Sequence, residues 1–177
     1  MSLISCADLP THVVEECPDY IISRNSAVGI IYKDANIADY TAAGDWNAAI
    51  AANSAVIVKG LAGVYEEPSD IQIENPEDCG ADQILIAFDH VFSFQDGNVS
   101  EFNSSFYEEL NKFKGYFCWY NCEEDKIFVV DTATVTFVAK PAWGARGEIL
   151  KYTVMAQWRE DRDVFYVIHD APAGIFT

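Results

Sequence analysis

Between Ile84 and Phe94 the chain alternates without a break. Ile84, Ile86, Phe88, His90, Phe92 and Phe94 point one way, and Leu85, Ala87, Asp89, Val91 and Ser93 the other. A period of two is the strand repeat, so this stretch predicts a long strand with one face against a core. A helix over Ser105–Lys114 follows, with Phe106, Leu110 and Phe113 at the i, i+4, i+7 spacing of a buried stripe. Its start reads as a capping box, Ser105 to Glu108, and its end carries Lys112 and Lys114 before Gly115.

Closely spaced strands come next. Tyr116–Asn121 and Ile127–Val130 flank a tip at Glu123–Lys126, and Asp131–Ala133 makes a turn into the alternating Thr134–Lys140. Pro141–Gly147 is a Gly/Pro loop, Ile149–Trp158 alternates again with Leu150, Tyr152, Val154, Ala156 and Trp158 facing in, and a charged turn at Arg159–Asp163 leads to a last strand at Val164–Ile168.

Upstream, residues 1–27 have little periodicity and predict an extended arm ending in a short strand at Tyr20–Ile22. Val28–Lys33 predicts another, with Gly29 at a close backbone approach. Asp45 is placed to N-cap a short helix over Trp46–Ala52, and Asn53 to stop it in the left-handed conformation. Ala55–Lys59 predicts a buried strand ending at Gly60. Gly60–Asp82 combines Gly63, Pro68, Pro76 and Gly80 with seven acidic side chains and reads as a long acidic loop or arm, interrupted at most by a short ribbon at Ile71–Ile73. The sum is a single domain over 1–177 of the α+β, β-rich class, an antiparallel β-sandwich or barrel with one flanking helix and that long loop.

Charge excludes some functions. The formal net charge is −17, from 28 acidic and 11 basic residues. Affinity for nucleic-acid phosphates or anionic lipid rests on Lys and Arg, so both partners are disfavoured. The excess is uneven: residues 1–100 hold 3 basic and 16 acidic side chains, residues 101–177 hold 8 and 12. Acidic surface of this kind is most simply a solvated, solubilising face, and more sharply a wall that repels polyanions. Met1–Leu9 lacks a basic n-region and an apolar core, and no window reaches the roughly 20 apolar residues of a membrane span, so a cytoplasmic chain is expected.

Motifs for chemistry are wanting. There is no GxxxxGK[ST], no GxGxxG and no GxSxG. Cys6, His12 and Cys17 lack the paired spacing of structural zinc sites, and His90, on the apolar face of its strand, reads as a hydrogen-bonded core or interface histidine. Glu74–Asp82 is rich in carboxylates without the order of a calcium loop, so a solvated acidic loop is the simpler reading. Five cysteines, an odd number at irregular spacing, fit free thiols. Cys118 and Cys122 lie too far apart along one strand to bond, and Glu123, Glu124 and Asp125 are of the wrong sign to activate them. Glu66-Glu67 and Asp161-Asp163 read as turn acids before they read as a glycosidase pair. No catalytic, cofactor-binding or metal-binding residue is assigned, and no enzyme is expected.

Gly29-Ile30-Ile31-Tyr32, the helix Asp45-Trp46-Asn47-Ala48-Ala49-Ile50, the strand end Val58-Lys59-Gly60, the helix entry Asn103-Ser104-Ser105-Phe106-Tyr107 and the strand Val154-Met155-Ala156-Gln157-Trp158 together resemble structural proteins of tailed bacteriophages, particularly small virion proteins of phages with Bacteroidetes hosts. The resemblance implies a non-enzymatic virion subunit, assembled in the host cytoplasm, that self-associates into rings or a tube and contacts other virion proteins. The favoured form is a tail tube, with a β-sandwich from residues 84–168, a flanking helix Phe106–Lys114 and the loop Gly60–Asp82 reaching the next ring. Its acidic lumen would let DNA pass without binding. A head or neck connector and a decoration protein are the alternatives within that resemblance. A carbohydrate-binding surface module, with Trp119, Tyr120 and Trp143 lining a concave face, is the alternative outside it.

Overall fold

The computed structural model describes residues 25–74, 83–99, 101–142, 151–160 and 166–177. In chain order these form β1 (Asn25–Ile31), α1 (Ala43–Ala51), β2 (Ala55–Tyr65), β3 (Ser69–Glu74), β4 (Gln83–Asp96), α2 (Glu101–Leu110), β5 (Lys114–Asn121), β6 (Lys126–Ala142), β7 (Lys151–Glu160) and β8 (Val167–Asp170). The antiparallel order β2-β1-β5-β6-β7-β4 closes on itself because β2 also pairs with β4, from Leu61 opposite Asp96 to Tyr65 opposite Phe92. The sandwich-or-barrel expectation therefore resolves as a six-stranded barrel. It draws on β1 and β2 as well as on residues after 84, so the sheet is wider than the 84–168 body implied by the resemblance.

The other two strands prolong members of the ring. β3 continues β2 along β4 after a break at Glu66–Pro68, pairing Ser69–Glu74 with Gln83–Asp89. β8 continues β7 along β6, pairing Val167–Asp170 with Lys126–Val129. β7 ends at Glu160, opposite Phe88, so the β3–β4 ribbon runs on past the barrel wall.

The Gly60–Asp82 loop is thereby corrected for most of its described length: it is strand to Tyr65 and again from Ser69, and residues 75–82 lie outside the described residues. Gly60, at φ 72°, does not end β2 but bulges it, since β1 advances two residues, Asn25 to Ala27, while β2 advances four, Gly63 to Lys59. The turn expected at Asp131–Ala133 is likewise a bulge. β5 advances two residues, Gly115 to Phe117, while β6 advances five, Val135 to Val130, and β6 runs unbroken for 17 residues. Turn-forming side chains here supply extra length without reversing the chain. Arg159 and Glu160 end β7 instead of opening a turn, and the last strand lies at Val167–Asp170. The strand expected at Tyr20–Ile22 and most of the expected Pro141–Gly147 loop lie outside the described residues.

Among the described residues two helices attend the barrel, the flanking helix and the short one expected after Asp45. α2 closes an end, with Phe106, Tyr107 and Leu110 buried in the same cluster as Val28, Val58, Phe92, Phe117 and Val135. It begins at Glu101, so Ser105 lies within it and no capping box forms. Phe113, just past the helix, completes the buried stripe. Lys112 and Lys114 fall in the following turn and at the start of β5. α1 lies on the outer wall, where Trp46 and Ala49 pack with Ile31, Cys118, Tyr120 and Phe176. Its N-cap is Ala42, which makes no side-chain cap; Asp45 instead accepts the Asp39 amide on Oδ2 at 2.9 Å, bracing the approach to the helix. Asn53 stops it at φ 54°, as expected. Gly29 is at a close approach as well: a Cβ there would stand 2.5 Å from Cys118 Sγ.

Glycine positions give a test with opposite signs. A Cβ on Gly115 would meet the Ile31 carbonyl oxygen at 2.3 Å and the Phe113 ring at 2.6 Å, whereas one on Gly44, within α1, meets nothing. Gly115→Ala should cost about 1–3 kcal/mol or more, because backbone cannot move aside, and Gly44→Ala should add up to about 1 kcal/mol. Urea midpoints of the two variants measure both.

Candidate interaction surface

The barrel wall has a covered and a bare side. Over β1 and β5 the outer face is sealed by α1 and by Ile175 and Phe176, where Trp46 meets Phe176 edge to face at 5.1 Å and donates its Nε1–H to the Tyr40 carbonyl at 2.9 Å. Along the latter part of β2, along β4 and β7 and along the second half of β6, the outward-facing residues are exposed or half-buried. Cross-strand rows run Val64–Ser93–Met155–Val138 and Ala62–Gln95–Thr153–Lys140. Arg159 donates from Nε and Nη2 to the two carboxylate oxygens of Asp89 at 2.8 and 3.2 Å, and Lys151 donates to Gln95 Oε1 at 2.8 Å. Both members of the Asp89–Arg159 pair are largely exposed, so it steers more than it stabilises. A hollow of about 560 Å³ opens beside it, bounded by Ser69, Thr134, Thr136 and Gln157. The aromatic side chains of these strands, Phe92, Phe94, Phe137, Tyr152 and Trp158, turn inward, so the bare face offers hydrogen bonds and no stacking platform.

The two ends of the barrel differ. At the ribbon end, Tyr65, Trp119 and Phe128 stack, with centroids 5.6 and 5.2 Å apart, and Tyr166 stands edge-on to all three. His90, fully buried, shares a 3.0 Å hydrogen bond with the Tyr65 hydroxyl through Nδ1 and stacks on Trp158. This is the core histidine that its alternation predicts. At the opposite end, Tyr107 of α2 donates to the buried Asp96 at 2.5 Å and stacks on Tyr152. Asn111 then stands in for a strand, donating to the Ala139 carbonyl at 3.1 Å and accepting the Ala139 amide at 2.7 Å, beyond the Lys114–Thr136 pair that starts the β5–β6 ladder.

Two strands have an open edge among the described residues. Among the described residues β3 pairs only with β4 and β8 only with β6. Val167 and Ile168 of β8 are 49% and 54% exposed. Such rows of backbone donors and acceptors are templates for pairing.

Other residues weighed from the sequence fall as follows. Cys118 is buried and Cys122 exposed, while Cys6, Cys17, Cys79 and His12 lie outside the described residues. Trp119 and Tyr120 are both buried, 3% and 4% exposed, and so supply no concave aromatic face; Trp143 lies outside the described residues. Glu66 accepts from Ser93 and Glu67 is exposed beside it, so this pair spans no cleft; Asp161 and Asp163 lie outside the described residues. Among the described residues no three His, Cys, Asp or Glu side chains are grouped to hold a metal ion, and no helix is long and apolar enough to cross a membrane. The Asp89–Arg159 pair, the Asp96–Tyr107 bond and the Asn111 bridge carry no sequence signal, because each joins residues from separate elements.

Burial pushes the Cys118 thiol well above its usual range, and burial beside Asp96 does the same to the Tyr107 hydroxyl. Groups held neutral in the folded chain ionise first in the unfolded one, so stability is whole below about pH 8.5 and falls as pH rises past the ordinary thiol and phenol values. Urea midpoints should decline from pH 8 to pH 10.5, and iodoacetamide should modify Cys122 in the native protein while Cys118 waits for unfolding, as peptide mass spectrometry would read. Set against protein-family models the chain finds no match, and set against curated proteins it finds none.

Proposed function

We propose that this chain is a non-enzymatic structural subunit that assembles with copies of itself, and within that class a ring- or tube-forming protein of a tailed-phage virion, the tail tube first. The observation that carries the reading is the β3–β4 ribbon, which leaves the barrel wall at Phe88 and presents the outer edge of Ser69–Glu74. A closed barrel has no need of such an edge for its own stability. An exposed edge strand is a hazard to a free monomer and an asset to a subunit whose neighbour covers it. The exposed Val167 and Ile168 on the second edge point the same way, since a head-to-tail contact needs two different surfaces on one subunit. The tube form rests on the net charge of −17, which lets a phosphate backbone pass without being held. Connector and decoration proteins share the first two features and differ in ring geometry.

Negative-stain microscopy with mass photometry on the purified chain should show rings or tubes of uniform diameter. Ile168→Lys, a surface change expected to alter stability by less than about 0.5 kcal/mol, should lower the assembled fraction several-fold. A native chain that stays monomeric at high concentration counts against the proposal.

A further inference from the structure

Four strands meet at the hollow on the outer wall, and their register decides what they bring there. Ser69 of β3 stands opposite Asp89 of β4, and Asp89 opposite Arg159 of β7. In the next row Val91 stands opposite Gln157, and Gln157 opposite Thr136 of β6, with Thr134 two residues along on the same face. These side chains bound about 560 Å³, a volume within the range of about 300–1,000 Å³ of small-ligand sites. His90 and Trp158 also border it, but both are buried on the inner side of the sheet, so the hollow is lined chiefly by polar groups.

Those groups select a class of ligand. Among the described residues the Ser69 and Thr134 hydroxyls and the Gln157 side-chain amide have no hydrogen-bond partner. Arg159 spends Nε and Nη2 on Asp89, which leaves Nη1 to donate, and the carboxylate keeps lone pairs to accept. The two charges match each other, so an ionic ligand finds no counterion here, and an anion is further opposed by the net charge of −17. The backbone is already committed, β4 to β3 and β7, and β7 to β4 and β6, whereas an extended peptide draws its affinity from an open strand edge. The ligand that remains is neutral and both donates and accepts. A hydroxyl does both from one atom, and neighbouring hydroxyls of a sugar ring can donate to Asp89 and accept from Arg159 side by side. We propose that this hollow binds a neutral saccharide unit through side chains of β3, β4, β6 and β7. It is separate from the aromatic face expected of Trp119 and Tyr120, which are buried. No ring lies beneath the sugar, so affinity rests on net hydrogen bonds and is millimolar at a single site. The inference does not depend on self-association.

Saturation-transfer NMR, which reads weak ligands on a free or an assembled protein, tests it. The probes are the methyl glycosides of glucose, galactose, mannose and N-acetylglucosamine, with acetyl-dialanine methylamide as the peptide control. At least one glycoside should show saturable transfer in the millimolar range. Two variants address the site: Thr134→Val with Gln157→Ala, and Asp89→Asn with Arg159→Gln, which keeps the shape of the ion pair. Each should weaken binding about five-fold or more, while Glu123→Gln, in the β5–β6 turn, leaves it unchanged. Circular dichroism checks the fold, and either variant alone suffices for the test. Glycosides that give no saturable transfer, or that bind both folded variants as they bind the native chain, overturn the proposal. Binding of the dipeptide without any glycoside overturns it as well and makes the hollow a peptide site.

Discussion

The rest of the structure depends on one short ladder, the pairing of Leu61–Tyr65 with Phe92–Asp96 that joins β2 to β4. Without it the six strands would be an open, twisted sheet with two long edges. With it, both faces of the sheet acquire fixed identities, an inside filled by Phe92, Phe94, Phe117 and Trp119 and an outside that must be either covered or wet. Gly63 makes the closure possible. A Cβ there would stand 2.5 Å from the Phe92 ring, so the glycine is the space in which that ring lies. Closure also explains why, among the described residues, β3 and β8 each have a single partner: they are prolongations that outrun the ring.

The division of the outer wall explains which strands were legible. β7 faces the core on one side and nothing described on the other, so its burial alternates without fault from Tyr152 to Trp158, and its residues alternate to match. β1 and β5 lie between the interior and the helix-covered exterior, so Val28 to Ile31 and Phe117 to Tyr120 are buried in unbroken runs. An apolar run marks a buried strand without telling which neighbour buries it. The closed sheet was therefore legible as a class, a sandwich or barrel, while the choice between them rested on the β2–β4 pairing, which no local pattern encodes. The bulges at Gly60 and at Asp131–Ala133 misled for a related reason: glycine and short polar residues mark a departure from regular pleating, and whether the chain turns or bulges depends on the opposing strand.

The interaction surface was less legible than the fold. The acidity of residues 60–82 was visible, yet its placement on a ribbon required the register of β3 on β4. Likewise Lys33, Lys112, Lys114, Lys140 and Lys151 are dispersed along the chain, and only the antiparallel order brings them to one rim, where Asp34, Glu108 and Glu109 stand among them. The aromatic residues show the converse: Trp119 and Tyr120 looked available for ligand stacking and are consumed by packing, Trp119 inside the barrel and Tyr120 beneath the cover on its outer wall.

The position of β1 in the ring has a consequence for how the chain is made. One neighbour, β2, is reached soon after β1 itself, through α1; the other, β5, pairs Asn25 with Asn121, almost a hundred residues downstream. At ribosomal rates of about 5–20 residues per second, β1 and β2 wait some seconds or more as an isolated hairpin before their partners exist. Two strands alone are marginal in water, so β1 and β2 are among the last strands of the barrel to be secured. β7 must therefore be made before the barrel can close, and closure makes many distant contacts together, in the slow regime of topologies rich in non-local pairing.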